Sequence, residues 1–289
     1  MDDATRAHIA TATMIALPSS KLSVASAEKK LMKILILPDK TAAVSSAART
    51  LADKVKDQPT AILGLATGET MIPLYRALLE ISVTEFLSFS KISTFNLDEY
   101  VGLPFDHSAS FRTYMQNWLF QHADFNPELT HFLDGDAKDL ILETSRYEKL
   151  IADVGGIDLQ LLGIGENGHI GFNEPSSSLA SRTRIKTLTK TTLEANKIYF
   201  KDIKKMPLYS LTMGVGTILD SHQCVLLATG AKKASAVAQM IEGPVTATCP
   251  ASALQFHPNT LVILDDQAAR ELKMRDYYEY VHPGINNVT

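Results

Sequence analysis

The sequence predicts an α/β fold, a mostly parallel sheet covered on both faces by helices. Two observations carry the prediction. From Met32 onward, short apolar runs alternate with stretches that repeat apolar residues at helical spacing. That order builds parallel sheets through crossover helices. Several of the runs also end in turns rich in Gly, Thr, Asp or Asn, and in open α/β sheets the ligand sits at such carboxyl-edge turns. The 289 residues are 45 % hydrophobic, enough for one large core. No repeat, low-complexity run or Pro/Gly linker divides them, so a single domain is expected. Residues 176–209, polar and less regular, read as a lid or interface segment.

Residues 1–31 precede that domain. They carry an acidic Asp2-Asp3 start, an apolar patch from Met14 to Leu17 broken by Pro18, and Arg6 as their one arginine. This suits neither a secretory signal nor a transit peptide. The segment reads as a flexible extension, with the folded unit spanning 32–289. The first strand is expected at 33–37. Residues 40–56 repeat Ala, Val and Leu at helical spacing behind Asp39, a capping residue. Further strands are expected at 60–65, 91–95, 157–164, 223–228 and 260–264, and helices at 71–81, 108–121, 137–153, 231–242 and 267–279.

The richest turn is Leu162-Gly163-Ile164-Gly165-Glu166-Asn167-Gly168-His169-Ile170-Gly171-Phe172-Asn173-Glu174-Pro175. Its glycines let the backbone turn sharply and approach a ligand, and His169 with Glu174 reads as an acid–base pair. Gly163-x-Gly165-x-x-Gly168 also fits the dinucleotide-binding pattern, which needs a helix opening at the third glycine and an acid about 20 residues on. Gly171 and Pro175 oppose that helix. At the expected distance stand Thr183, Arg184, Ile185 and Lys186, with no carboxylate. The bland alternative is a structural loop around a hydrogen-bonded histidine.

Four other segments bear chemistry. Leu63-Gly64-Leu65-Ala66-Thr67-Gly68-Glu69-Thr70 joins a strand to a helix. Its backbone N–H groups and the helix dipole suit a phosphate; the plain alternative is an ordinary turn capped by Thr70. Phe95-Asn96-Leu97-Asp98-Glu99-Tyr100-Val101-Gly102 ends a strand in two carboxylates. In extended backbone their side chains point opposite ways, so one can face a substrate while the other makes structural hydrogen bonds. Arg182, Arg184 and Lys186 alternate, share one face of an extended chain and form an anion site with the nearby serines. Lys233, in Gly230-Ala231-Lys232-Lys233, is placed to reach the same phosphate as the Thr67 turn.

Bulk properties exclude several classes. Net charge is −4, which provides no general attraction to nucleic acid or an anionic membrane. No apolar stretch reaches the length of a membrane span. Cys224 and Cys249 lack metal-ligand spacing and read as core thiols in a reducing compartment. A cytoplasmic location is therefore expected.

Together, the Asn-x-Asp-Glu-Tyr-Val-Gly and Gly-His-Ile-x-Phe-Asn-Glu-Pro motifs, the Thr67 turn, residues 177–188, 211–220 and 230–233 resemble the glucosamine-6-phosphate deaminase (hexosamine-phosphate isomerase) family from about Met32 to Ala269. The resemblance implies a modified doubly wound, Rossmann-like sandwich with a lid at about 188–209. It implies conversion of glucosamine 6-phosphate and water to fructose 6-phosphate and ammonia in amino-sugar breakdown, without cofactor or metal. Asp98 matches the base that moves a proton between carbons 2 and 1. His169 matches the ring-opening group, with Glu174 and Asn167 beside it. Thr67, Gly68, Thr70 and Lys233 match the phosphate site. Ser177, Arg184, Lys186 and Thr187 match an allosteric site for N-acetylglucosamine 6-phosphate, which implies a homohexamer. The divergent C-terminal region leaves the tyrosine expected there unassigned, with Tyr277 and Tyr278 as its candidates.

The chain departs from the pattern in places. Asn167 stands where some members have Asp, Glu69 where some have Gly, and Ile198 where some carry a phosphate-clamping Arg, with Lys197 adjacent. Rival readings are galactosamine-6-phosphate isomerase, 6-phosphogluconolactonase and a non-catalytic sugar-phosphate sensor.

Overall fold

The computed structural model describes residues 32–104, 106–189, 192–194, 200 and 206–282. The expected extension at 1–31, and Lys197 and Ile198 of the lid, lie outside them. Ten strands are described: β1 (Lys33–Leu37), β2 (Ile62–Leu65), β3 (Ser93–Asn96), β4 (Asp98–Tyr100), β5 (Thr130–His131), β6 (Leu159–Leu162), β7 (Arg184–Thr187), β8 (Tyr209–Thr212), β9 (Cys224–Ala228) and β10 (Thr260–Asp265). The described helices are α1 (Lys40–Asp57), α2 (Met71–Glu85), α3 (Phe111–Trp118), α4 (Leu140–Asp153), α5 (Val215–Leu219), α6 (Ala234–Glu242), α7 (Asp266–Ala269) and α8 (Arg275–Val281).

Seven strands form one sheet in the order β1-β10-β9-β6-β2-β3-β5, and every neighbouring pair is parallel. The central strands are buried throughout because helices cover both faces: all of Cys224–Ala228 and Leu159–Leu162, Gln160 included, is buried. The expected parallel α/β sandwich is therefore present. A second, antiparallel sheet of three strands, β4-β8-β7, departs from the sequence reading. Its strands run three or four residues, too short to announce themselves by alternation.

Caps explain most boundaries. Asp39 accepts from Ala42 N at 2.8 Å, as expected. Asp139 accepts from Ile141 and Leu142 N and starts α4 three residues later than the spacing suggested. Ser110 starts α3 by accepting from Thr113 N. The helix expected at 267–279 is in fact two, α7 and α8. Between them the Glu242 carboxylate takes Lys273 N and Met274 N at 2.9 and 2.8 Å and holds the chain in a turn.

Candidate active site

The strands β9, β6, β2 and β3 are consecutive in the sheet, and each carries one of the chemistry-bearing segments at its carboxyl end. From β2 the chain builds outward to β3 and β5; from β6 it builds the other way, to β9 and β10. That reversal makes the carboxyl ends of β2 and β6 the topological switch point, where open α/β sheets bind ligands. The Thr67 turn and the His169 loop flank it.

The Thr67 turn is held from behind. The Ala66 carbonyl accepts from Tyr75 Oη at 2.5 Å and the Gly68 carbonyl from Tyr114 Oη at 2.8 Å. Gly68 sits at φ 114°, a conformation that favours glycine. Thr70 occupies the N-cap position of α2 with a helical backbone and makes no side-chain cap, so the plain capping role is not the one it plays. Glu69 is exposed. Across β6, Lys233 ends a 3-10 turn that starts at Gly230. Both Asp265 carboxylate oxygens accept from Gly230 N, at 2.9 and 3.0 Å, and fix that turn to the end of β10. Burial lowers the Lys233 ammonium, the Glu166 charge partly restores it, and Lys232 lowers it further.

In the β6 loop no helix opens at Gly168, so the dinucleotide reading fails on structure. His169 Nδ1 lies 3.4 Å from Glu174 Oε2, with the ring about a quarter exposed (26 %) and the carboxylate buried. Asn167 Nδ2 donates to the same Oε2 at 2.7 Å. Thr189 Oγ1 at 3.2 Å and Thr192 Oγ1 donate to the other oxygen, Oε1. Burial alone would raise this carboxyl, but His169, Thr192 and Asn167 outweigh it and hold Glu174 at about 2. Gly165 makes room for the ring: a Cβ there would stand 2.3 Å from His169 Cε1.

Asp98 and Glu99 divide as expected. Glu99 accepts from Tyr100, Phe111 and Arg112 N at 2.8, 3.0 and 3.0 Å, and so caps α3. Asp98 is buried in β4, paired with Thr212 of β8. Burial first, and the Glu99 charge second, push its carboxyl up to about 8, with no described hydrogen bond to offset them. Asp98 meets the His169 loop at Gly171: a Cβ there would lie 3.3 Å from Asp98 Oδ2 and 3.0 Å from Thr212 Oγ1. Thr212 Oγ1 accepts from Phe172 N at 3.1 Å and ties the loop to β8. The structure thus brings Asp98 against the loop that carries His169 and Glu174.

The basic segment behaves differently from its alternation. Arg182 precedes β7 and is committed to Glu148 and Asp220, at 2.6 and 2.5 Å, so it leaves the expected anion cluster. Arg184 Nη1 donates to Asn173 Oδ1 at 2.8 Å. Among the described residues, Arg184 Nη2 and Ser177 Oγ are buried without a hydrogen-bond partner. Arg184 and Lys186 share the less exposed face of β7, while Thr187 points to the other. Tyr278 is buried and Tyr277 exposed on α8, which packs beside β1. A cavity of about 220 Å³ beside β5, lined by Arg112, His131 and Arg146 among others, contains none of the expected residues. Among the described residues no His, Cys, Asp and Glu cluster could hold a metal ion, and no helix is long and apolar enough to cross a membrane.

Fold and site define an α/β protein with a Gly/Thr turn, a half-buried lysine and two contrasting buried carboxylates at its topological switch point. Residues 39–263 match the family model described as glucosamine-6-phosphate isomerases/6-phosphogluconolactonase, and the chain belongs to that family. It is 48 % identical over 250 residues to a protein of Shewanella woodyi named glucosamine-6-phosphate deaminase, covering 86 % of this chain and 95 % of the relative. A solved structure described as a monomeric glucosamine-6-phosphate deaminase is 45 % identical, with a TM-score of 0.81, covering 83 % of this chain and all of that one. A 6-phosphogluconolactonase from Trypanosoma brucei superposes with a TM-score of 0.68 over 84 % of this chain and 99 % of its own, at 18 % identity. That last likeness speaks to the fold alone.

Sequence reasoning missed Thr189, Thr192 and Thr212. Thr189 and Thr192 lie outside any motif, Thr212 lies in the matching 211–220 segment without a role assigned to it, and each reaches the site only through a turn or short strand that the sequence does not mark.

Proposed function

We propose that the chain is a cytoplasmic glucosamine-6-phosphate deaminase, a cofactor-independent hydrolase of amino-sugar breakdown that yields fructose 6-phosphate and ammonia. The observation that carries the reading is the pair of unlike carboxylates at one topological switch point. Thr67, Gly68, Thr70 and Lys233 hold the phosphate and so fix carbons 1 and 2 against Asp98. His169 moves the proton that opens the ring, passing it from the carbon-1 hydroxyl to the ring oxygen. Glu174, kept ionised, supports the protonated imidazole during that transfer. Asp98, in its ionised form, takes the proton from carbon 2 and returns it to carbon 1. A carboxylate whose pKa is pushed up to about 8 is a stronger base toward a carbon acid than an ordinary one. Water then adds to the resulting imine at carbon 2, and ammonia leaves.

Asn167 donates to Glu174 and orients it without adding charge. The lactonase reading has no use for a base at carbon 2, and the sensor reading has no use for either carboxylate. Residues 1–31 act as an extension dispensable for activity; a deletion that lowers turnover or Tm would refute this. The deciding assay is ammonia release from glucosamine 6-phosphate and galactosamine 6-phosphate. Turnover of the first above the second supports the reading, and turnover of neither, with lactone hydrolysis instead, overturns it.

Regulation is a second reading. The buried Arg184 Nη2 and Ser177 Oγ, without a partner among the described residues, favour a ligand held by Ser177, Arg184 and Lys186, with Thr187 left on the other face of β7: N-acetylglucosamine 6-phosphate acting on a homohexamer. The relative described as monomeric weighs against that assembly. Hexamer-sized sedimentation with activation by N-acetylglucosamine 6-phosphate supports it. A monomer with hyperbolic, unaltered saturation overturns it.

A further inference from the structure

The Glu174 carboxylate is gripped from two sides. Oε2 faces Asn167 Nδ2 and His169 Nδ1, both from its own loop. Oε1 faces two hydroxyls that arrive from beyond β7, Thr189 Oγ1 and Thr192 Oγ1. Thr192 is buried and belongs to one helical turn at 192–194. Thr189 starts that turn: its carbonyl accepts from Leu193 N at 2.9 Å and its hydroxyl from Thr192 N at 3.2 Å. The two hydroxyls stand 3.0 Å apart.

We propose that Thr192, oriented by Thr189, is a positioning residue that holds the Glu174 carboxylate in register with His169 for ring opening. A carboxylate has room for several donors. Fixing one oxygen with hydroxyls leaves the other aimed at the imidazole, so the ring keeps its direction toward the sugar. Burial raises the carboxyl, and Thr192 is among the groups that bring it down. Without that hydroxyl Oε1 keeps only the longer Thr189 contact, at 3.2 Å, and the carboxylate is freer to rotate about its last bond and release His169. Asn167, an amide, cannot replace the missing restraint, because it binds the opposite oxygen.

This inference rests on the assignment of His169 and Glu174 to ring opening, and the experiment separates the two. Thr192→Val, Thr192→Ser and Glu174→Gln are compared in ammonia release from glucosamine 6-phosphate, with thermal melts to confirm folding. Binding of the reduced, open-chain amino alditol phosphate, which has no ring to open, is measured alongside. Thr192→Val is expected to lower kcat about tenfold, the scale of one hydrogen bond to a charged group. KM and alditol binding stay unchanged, and Thr192→Ser restores kcat. A folded Thr192→Val with wild-type kcat, or a serine variant that does not rescue, overturns the proposal while Glu174→Gln stays impaired. A Glu174→Gln variant with full turnover overturns the underlying assignment instead.

Discussion

The end of β3 and the loop after β6 each bury a carboxylate, and the two are treated in opposite ways. Asp98 lies in a short strand whose backbone is occupied by β8. Its neighbour Glu99 collects three N–H donors, Tyr100 in its own strand and Phe111 and Arg112 at the start of α3, and Asp98 is left with burial and a like charge, which push it up to about 8. Glu174 is also buried, yet Asn167, Thr189, Thr192 and His169 all face it, and it is held at about 2. Donors offset burial at Glu174, while at Asp98 burial stands without a donor and the Glu99 charge adds to it. Environments that push two like groups apart in this way assign base and charge-holder to separate stations.

The largest way to break the comparison is Asp98→Asn. It should lower kcat by about a thousandfold, within the range of a single general base, because proton transfer between carbons has no other described base at that position. KM for the phosphate should hold. The same change should stabilise the protein, and the sign follows from linkage. A carboxyl at about 8 in the folded chain against about 3.9 unfolded opposes folding increasingly as pH rises from about 4 to 8, and not below. The Tm gain of Asp98→Asn should therefore be larger at pH 8 than at pH 5, and equal gains would refute the burial account.

Next in size is Gly165→Ala. A methyl group would overlap the His169 ring, so ring opening should slow by about a hundredfold, the scale of one proton-transfer catalyst, with phosphate binding intact. Gly171→Ala presses on Asp98 instead, since its Cβ would meet Oδ2 at 3.3 Å at a φ of +55°. Its kcat should fall by roughly tenfold, a misplacement and not a loss of the base. Normal activity in both variants would show that the loop does not set the two stations. The smallest effect is expected from Glu99→Gln. It should weaken the cap on α3 by about 1 kcal/mol. It should also shift the acidic limb of kcat/KM to lower pH, because the Glu99 charge raises Asp98.

Much of the sheet and its turns could be read in advance, since apolar runs, glycines and caps are local signals. The carboxyl-edge placement of Thr67, Asp98, His169 and Lys233 follows from strand ends that the apolar runs mark. The division between Asp98 and Glu99 also follows, because adjacent residues in extended backbone face opposite ways. What could not be read depends on pairing at a distance. The strand β8 is a four-residue segment, Tyr-Ser-Leu-Thr, that becomes a strand only by pairing with β4 and β7. Arg182 looked like an anion ligand by alternation, and only the fold reveals Glu148 and Asp220 beside it. The threonines that grip Glu174 come from 15 and 18 residues downstream and carry no motif.

Site-resolved carboxyl ¹³C NMR, following Asp98 and Glu174 in one pH series, tests the central claim most directly. Asp98 should titrate near 8 while Glu174 stays ionised down to about 2. Two carboxyls titrating together near 4, as free side chains do, would contradict it.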